Sequence, residues 1–231
     1  MADKKDLKTN SNDVADFLGK VAALPVVKKA VSRGRLLFAL DATASREPTW
    51  DQACHIQGQM FTQTQALGGL EVQLCFYRGF SEFQASAWWR DGTDLLRCMR
   101  AVFCEGGHTQ IARVLRHTIK ETAKSRVNAL VFVGDCVEES ADELYQLAGE
   151  LGLHGVPVFV FHEGNDLHAA HVLRQIARLS RGAYCPFDSG SAQQLQQLLS
   201  AVAVYAAGGF AALEAFNQRH GSDVLKLGRK P

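Results

Sequence analysis

The sequence predicts an α/β fold with a doubly wound, mostly parallel six-stranded sheet and helices on both faces. Three observations carry this. Short apolar runs alternate with helical patterns along most of the 231 residues. Two of the runs, Leu130-Val131-Phe132-Val133 and Val158-Phe159-Val160-Phe161, have no polar position, as strands buried on both faces require. Each helical pattern is long enough to cross from one parallel strand to the next.

The elements follow in order. Val14, Phe17, Leu18 and Val21 fall at i, i+3, i+4, i+7, a helical stripe preceded by capping residues Ser11, Asn12 and Asp13. Leu36–Leu40 is the first strand. Trp50–Leu67 reads as a helix stopped by Gly68-Gly69. Val72–Tyr77 is the second strand, and Phe83–Trp88 an antiparallel edge strand or hairpin arm. Helices are expected over Thr93–Phe103 and Thr109–Lys124, separated by Gly106-Gly107. After the buried strand at 130–133 come a helix at Ser140–Leu151, the strand at 158–161, a helix at Leu167–Leu179 and a short strand at Ala183–Cys185. Ala192–Tyr205 and Phe210–Phe216 close the chain as helix. This divides it into an N-terminal helical extension with a basic connector (1–34), the α/β body (35–206) and a C-terminal helix with a basic tail (207–231).

Composition narrows the function. The formal charge is +1, but residues 1–35 carry +4, residues 219–231 carry +3, and the body between them −6. An acidic body suits a cation better than a phosphate. Nucleic acid is therefore not the expected partner, although basic ends could touch phosphates. The first ten residues lack an apolar core, so no signal peptide is expected. The longest apolar stretch, Ala201–Leu213, is thirteen residues, too short to span a bilayer. Six cysteines form no Cys-x-x-Cys pair. These features point to a cytoplasmic protein with free thiols and no zinc cluster.

Parallel sheets bind ligands beyond the carboxyl ends of their strands. The first strand is followed by Asp41-Ala42-Thr43-Ala44-Ser45, three oxygen side chains at i, i+2, i+4. In extended geometry these converge, and a carboxylate with two hydroxyls suits Mg²⁺, Mn²⁺ or Ca²⁺. By itself the run also reads as a turn with Ser45 as a helix cap. Two further residues sit at comparable places. Thr109 opens a helix after Gly106-Gly107, 64 residues beyond Ser45, and Asp135 follows a buried strand 26 residues later.

This combination resembles the metal-ion-dependent adhesion site of von Willebrand factor type A (VWA) domains, over roughly residues 35–205. The resemblance implies a three-layer, Rossmann-like fold with the first and fourth strands adjacent at its centre. It implies that Asp41, Thr43 and Ser45 are first-loop ligands, Thr109 the second-loop ligand and Asp135 the third-loop acid, often acting through water. It implies Mg²⁺ as the metal, with Mn²⁺ or Ca²⁺ as substitutes, and a protein partner whose Asp or Glu completes the coordination. Intracellular bacterial members often serve as adaptors to AAA+ ATPases, chelatases or chaperones. Two residues depart from the family pattern. Thr43 replaces a serine, and Cys136 stands where glycine usually follows the acid, so a positive φ there would be strained.

The rim of such a site falls on Arg46, Glu47 and Trp50; on Arg78, Gly79 and Phe80; on Glu105 and His108; on Glu138 and Glu139; and on Glu163, Gly164 and Asn165. Among these Trp50 and Phe80 are the expected anchors, since exposed aromatics often carry binding energy. His162, His168 and His171 could be read as a transition-metal set, but no carboxylate or thiol completes it, and a polar helix face is the expected reading. Enzyme classes find no support. The second Asp of a haloacid-dehalogenase-type phosphotransferase is replaced by Thr43, and no G-x-G-x-x-G, P-loop or G-x-S-x-G occurs.

Overall fold

A computed structural model describes residues 19–20, 34–47, 70–90, 92–187 and 200–207. The elements are β1 (Gly34–Asp41), a 3₁₀ turn (Ala44–Arg46), β2 (Leu70–Arg78), β3 (Glu82–Trp89), α1 (Gly92–Arg100), α2 (Ile111–Lys124), β4 (Ala129–Gly134), α3 (Ala141–Leu153), β5 (Val158–Glu163), α4 (Leu167–Leu179) and β6 (Ala183–Phe187). Residues 200–207 are helical. Of the helix expected at 14–21 only residues 19–20 are described, and they are helical; the helices expected at 50–67 and 210–216, the start of the one at 192–205, and Trp50, lie outside the described residues.

The six strands form one sheet in the order β3-β2-β1-β4-β5-β6. Every pairing is parallel except β2 with the edge strand β3. The expected fold class is therefore observed, including adjacent first and fourth strands.

Strand alternation divides the core in two. Leu36, Phe38 and Leu40 of β1, Val131 and Val133 of β4, and Phe159 and Phe161 of β5 face one side, where Met99 of α1 and residues 201–206 cover them. Leu37, Ala39, Leu130, Phe132, Val158 and Val160 face the other, under Val114 and Leu115 of α2, Leu144 and Leu151 of α3, and Leu173 and Ile176 of α4. Each such Leu, Ile or Phe contributes about 1.5–3 kcal/mol on burial. That two-sided burial explains why β4 and β5 carry no polar residue in their central runs.

The chain leaves β1 toward β2 on one side and reaches β4 on the other. The loops after β1 and β4 therefore diverge and leave a crevice at the carboxyl end of the sheet centre. The register pairs Asp41 at the end of β1 with Tyr77 near the end of β2.

Candidate metal centre

Asp41 is the last residue of β1 and is fully buried. Its Oδ1 accepts a hydrogen bond from the Thr43 amide at 2.8 Å, and its Oδ2 one from the Tyr77 hydroxyl at 2.9 Å. These two bonds fix the carboxylate and leave a lone pair on each oxygen. Burial pushes the Asp41 carboxyl above its ordinary range, opposed by the bonds from Thr43 and reinforced by the Asp135 charge. Thr43 Oγ1 and Ser45 Oγ lie 3.1 Å apart, so the first loop gathers its hydroxyls beside its carboxylate.

The second loop is held by backbone contacts. Ala42 O accepts from the Glu105 amide at 3.0 Å, and Gly79 O accepts from the His108 amide at 3.1 Å. Gly107 packs so closely on Gly79 that a Cβ at 107 would sit 1.9 Å from the Gly79 carbonyl oxygen. This approach is open only to glycine, and it sets Thr109 at the crevice. Thr109 lies two residues before α2 rather than opening it as expected, because Gln110 departs from helical geometry.

The third loop locks onto the second. Glu138 N donates to Thr109 Oγ1 at 3.0 Å, and Thr109 N donates to Glu138 Oε2 at 2.9 Å. Glu139 accepts from the Ile111 and Ala112 amides at 2.5 and 2.8 Å, capping the start of α2. Asp135 lines the same crevice, and its buried Oδ1 has no hydrogen-bond partner. His162 accepts or donates at two points, 2.8 Å from the Tyr184 hydroxyl and 3.2 Å from Asp135 O, and so buttresses the loop from below.

A cleft of about 500 Å³ unites the three loops, lined by Thr43, Ser45, Thr109, Asp135, Cys136 and Glu138, with Glu163–Asp166 as its far wall. Asp41 is buried behind this lining, joined to it through the Thr43 amide. The donor set is two carboxylates and three hydroxyls, hard oxygens that fit Mg²⁺, Mn²⁺ or Ca²⁺. The unpartnered Asp135 oxygen is the observation of fit, since a buried carboxylate oxygen without a donor is otherwise costly. Among the described residues no group of three His, Cys, Asp or Glu gathers as a metal site. His168 and His171 are exposed on α4, as expected for a polar face, and His162 is buried in β5.

The rim differs from expectation in two places. Arg46 is not on the surface: the 3₁₀ turn closed by Arg46 N on Thr43 O carries its side chain inward, where it is 1% exposed and ion-paired with Glu163. Arg78 is mostly covered. Its guanidinium pairs with Glu82 at 2.7 Å, donates to Phe103 O at 3.0 Å and lies 4.0 Å over the Phe103 ring. Phe80 is 78% exposed and meets His108 edge-on at 5.2 Å, and His108 Nδ1 is 3.3 Å from Glu138 Oε2. An exposed aromatic pair thus adjoins the cleft.

Cys136 is unstrained. Among the described residues Arg181 alone, apart from glycines, has a positive φ, so the third loop does not require glycine at 136. The sequence reading missed Tyr77 as the Asp41 partner. A hydroxyl-bearing ring near the carboxyl end of the neighbouring strand was the available signal.

No protein-family model and no curated protein matches the sequence. Solved structures do match in fold. The SpRpn10 VWA domain superposes with a TM-score of 0.58 at 15% identity, covering 73% of this chain and 94% of that one. Proximal thread matrix protein 1 from the mussel byssus, with a zinc-occupied adhesion-site motif, gives 0.56 at 14% identity over 74% of this chain and 46% of that one. Manganese-loaded Plasmodium vivax TRAP protein gives 0.55 at 16% identity over 72% of each chain. The chain thus spans less than half of the mussel protein. These likenesses establish the fold, which is that of VWA domains. No helix among the described residues is long and apolar enough to cross a membrane.

Proposed function

We propose that this chain is a divalent-metal-dependent protein–protein interaction module. Asp41, Thr43, Ser45, Thr109 and Asp135 would hold the ion, directly or through water. The observation that carries this reading is the buried oxygen without a donor on Asp135, a residue that lines one cleft with the Thr43, Ser45 and Thr109 hydroxyl residues. A bound Mg²⁺ would supply a Lewis-acidic position open to a carboxylate from outside the chain. The chain's own residues prepare that position. Tyr77 and the Thr43 amide orient Asp41 and oppose the rise that burial imposes on its carboxyl. Glu138 ties Thr109 to the third loop, and Phe80 with His108 offers an apolar contact beside the opening.

A partner that presents Asp or Glu next to an apolar side chain satisfies both features. The resemblance to intracellular relatives makes a cytoplasmic adaptor for a larger machine, such as an AAA+ ATPase, chelatase or chaperone, the role we favour. The likeness to a manganese-loaded protein and to one with zinc at its adhesion site supports divalent-metal binding without choosing the metal. We assign no catalysis to the site.

The test is a thermal-shift titration with Mg²⁺ and Mn²⁺ on the wild type and Asp41→Ala. Binding to the folded state alone contributes about 2.7 kcal/mol at a hundredfold excess over Kd. At about 2–4 °C per kcal/mol for a chain of this size, the rise is readily seen. A rise in wild type that is absent in Asp41→Ala supports the reading. No rise in either replaces it with a metal-independent scaffold. Salt-sensitive RNA binding that survives Asp41→Ala would favour the basic ends as the functional segments.

A further inference from the structure

We infer that Arg46 is the cleft's built-in countercharge and that the Arg46–Glu163 pair sets how tightly the site holds a divalent cation. The inference rests on the metal-binding reading above and adds a residue outside the ligand set. Arg46 follows Ser45 directly, yet its side chain turns under the loop and is buried. An arginine so placed needs anions. Glu163, which lines the far wall of the cleft, pairs with it across the crevice. Asp41 and Asp135 are also within electrostatic reach of its guanidinium, and their pull opposes the desolvation that disfavours its charge.

The arrangement has two consequences. Arg46 and Glu163 bridge the first loop and the carboxyl end of β5, adding to the ring of contacts begun by Thr109 and Glu138. Asp41, Asp135, Glu163 and the Arg46 guanidinium together sum to a formal charge of −2, and Glu138 and Asp166 on the cleft wall add to the negative field. A cation entering beside Asp41 and Asp135 meets repulsion from Arg46 and attraction from Glu163. The pair therefore neither adds nor subtracts net charge, and losing either half unbalances the site.

A charge ledger separates this from a packing role. Mn²⁺ affinity is measured by calorimetry at pH 7.5 on the full chain and on Arg46→Gln, Glu163→Gln and the double variant, each checked by circular dichroism. Arg46→Gln should bind Mn²⁺ roughly fivefold or more tightly, and Glu163→Gln should weaken binding by a similar factor. The double variant should return to within about twofold of wild type, and Arg46→Lys should behave as wild type. Weakening in both single variants would overturn the inference and leave the pair a packing device. If Arg46→Gln does not fold, the double variant decides, since its buried pair is neutral: it must bind more tightly than Glu163→Gln. Absence of Mn²⁺ binding in wild type would instead sink the metal-binding reading itself.

Discussion

Thr109 and Glu138 hold each other twice, the Glu138 amide donating to the Thr109 hydroxyl and the Thr109 amide donating to the Glu138 carboxylate. The two residues come from loops 29 positions apart and follow different elements. Their reciprocal bond converts those loops into one unit. Because the hydroxyl already accepts from an amide, its remaining lone pair and its proton are directed away from that bond. Glu139 extends the clasp by capping α2. The acid pair Glu138-Glu139 thus acts on the position of Thr109 and α2 rather than as free surface charge.

Glu138→Ala should therefore weaken Mn²⁺ binding without abolishing it. One lost hydrogen bond to a charged group is worth about 1.5–3 kcal/mol, roughly a ten- to hundredfold change in Kd if Thr109 is freed. Thr109→Ser should keep most of the affinity, and Thr109→Ala should lose it. Calorimetric titration of the three variants checks this. Equal affinities for Glu138→Ala and wild type would show that Thr109 stays in place without the clasp.

Two neighbouring glycines should respond unequally to the same change. A Cβ on Gly107 meets the Gly79 carbonyl, whereas one on Gly106 meets nothing within 4 Å. Gly107→Ala must push the second loop off β2 and should cost about 1–3 kcal/mol, with loss of the metal response. Gly106→Ala should stay within about 0.5 kcal/mol of wild type. Urea unfolding of both variants, followed by Mn²⁺ titration, gives the comparison. Similar stabilities would mean that the Gly79–Gly107 contact is slack.

What the sequence made legible follows from locality. The all-apolar runs of β4 and β5 announce burial on both faces without reference to any other segment. Asp41, Thr43 and Ser45 show their common direction through alternation alone. Arg46 could not be read this way. Its burial depends on Glu163, 117 positions later, and on a 3₁₀ turn that a loop composition does not specify. Tyr77 was hidden for a related reason, since its bond to Asp41 depends on the register between β1 and β2. Arg78 reads as a rim residue because its partners meet it only in the fold, Glu82 across the β2–β3 turn and Phe103 where the second loop returns.

Cys136 offers a sharper check of the same point. If the third loop required a left-handed residue, Cys136→Gly would relieve strain and stabilise the protein. The backbone at 136 lies outside that region. Glycine should then only add freedom to the unfolded chain and cost about 0.4–1 kcal/mol. Urea midpoints of wild type and Cys136→Gly read this directly, and a higher midpoint for the variant would refute it. Unchanged Mn²⁺ affinity in the same variant would further separate the thiol from the ligand set.

The edge of the sheet should give the protein an acid-sensitive stability. His117 on α2 is half-buried, with its Nε2 2.8 Å from Gln73 Oε1. Burial lowers its pKa below the ordinary 6.5, only partly opposed by Glu121, while Lys124 and Lys120 lower it further. The unfolded chain therefore takes up a proton near pH 6.5 that the folded state resists. Stability is full above about pH 7 and falls as pH drops through 6.5 toward the depressed folded value. Burial lowers the His162 pKa as well, so its contribution has the same sign. His117→Leu should remove one part of the loss, leaving a shallower decline between pH 7.5 and 5.5. Urea midpoints across that range for wild type and variant test the assignment, and parallel pH curves would show that His117 is not the group responsible.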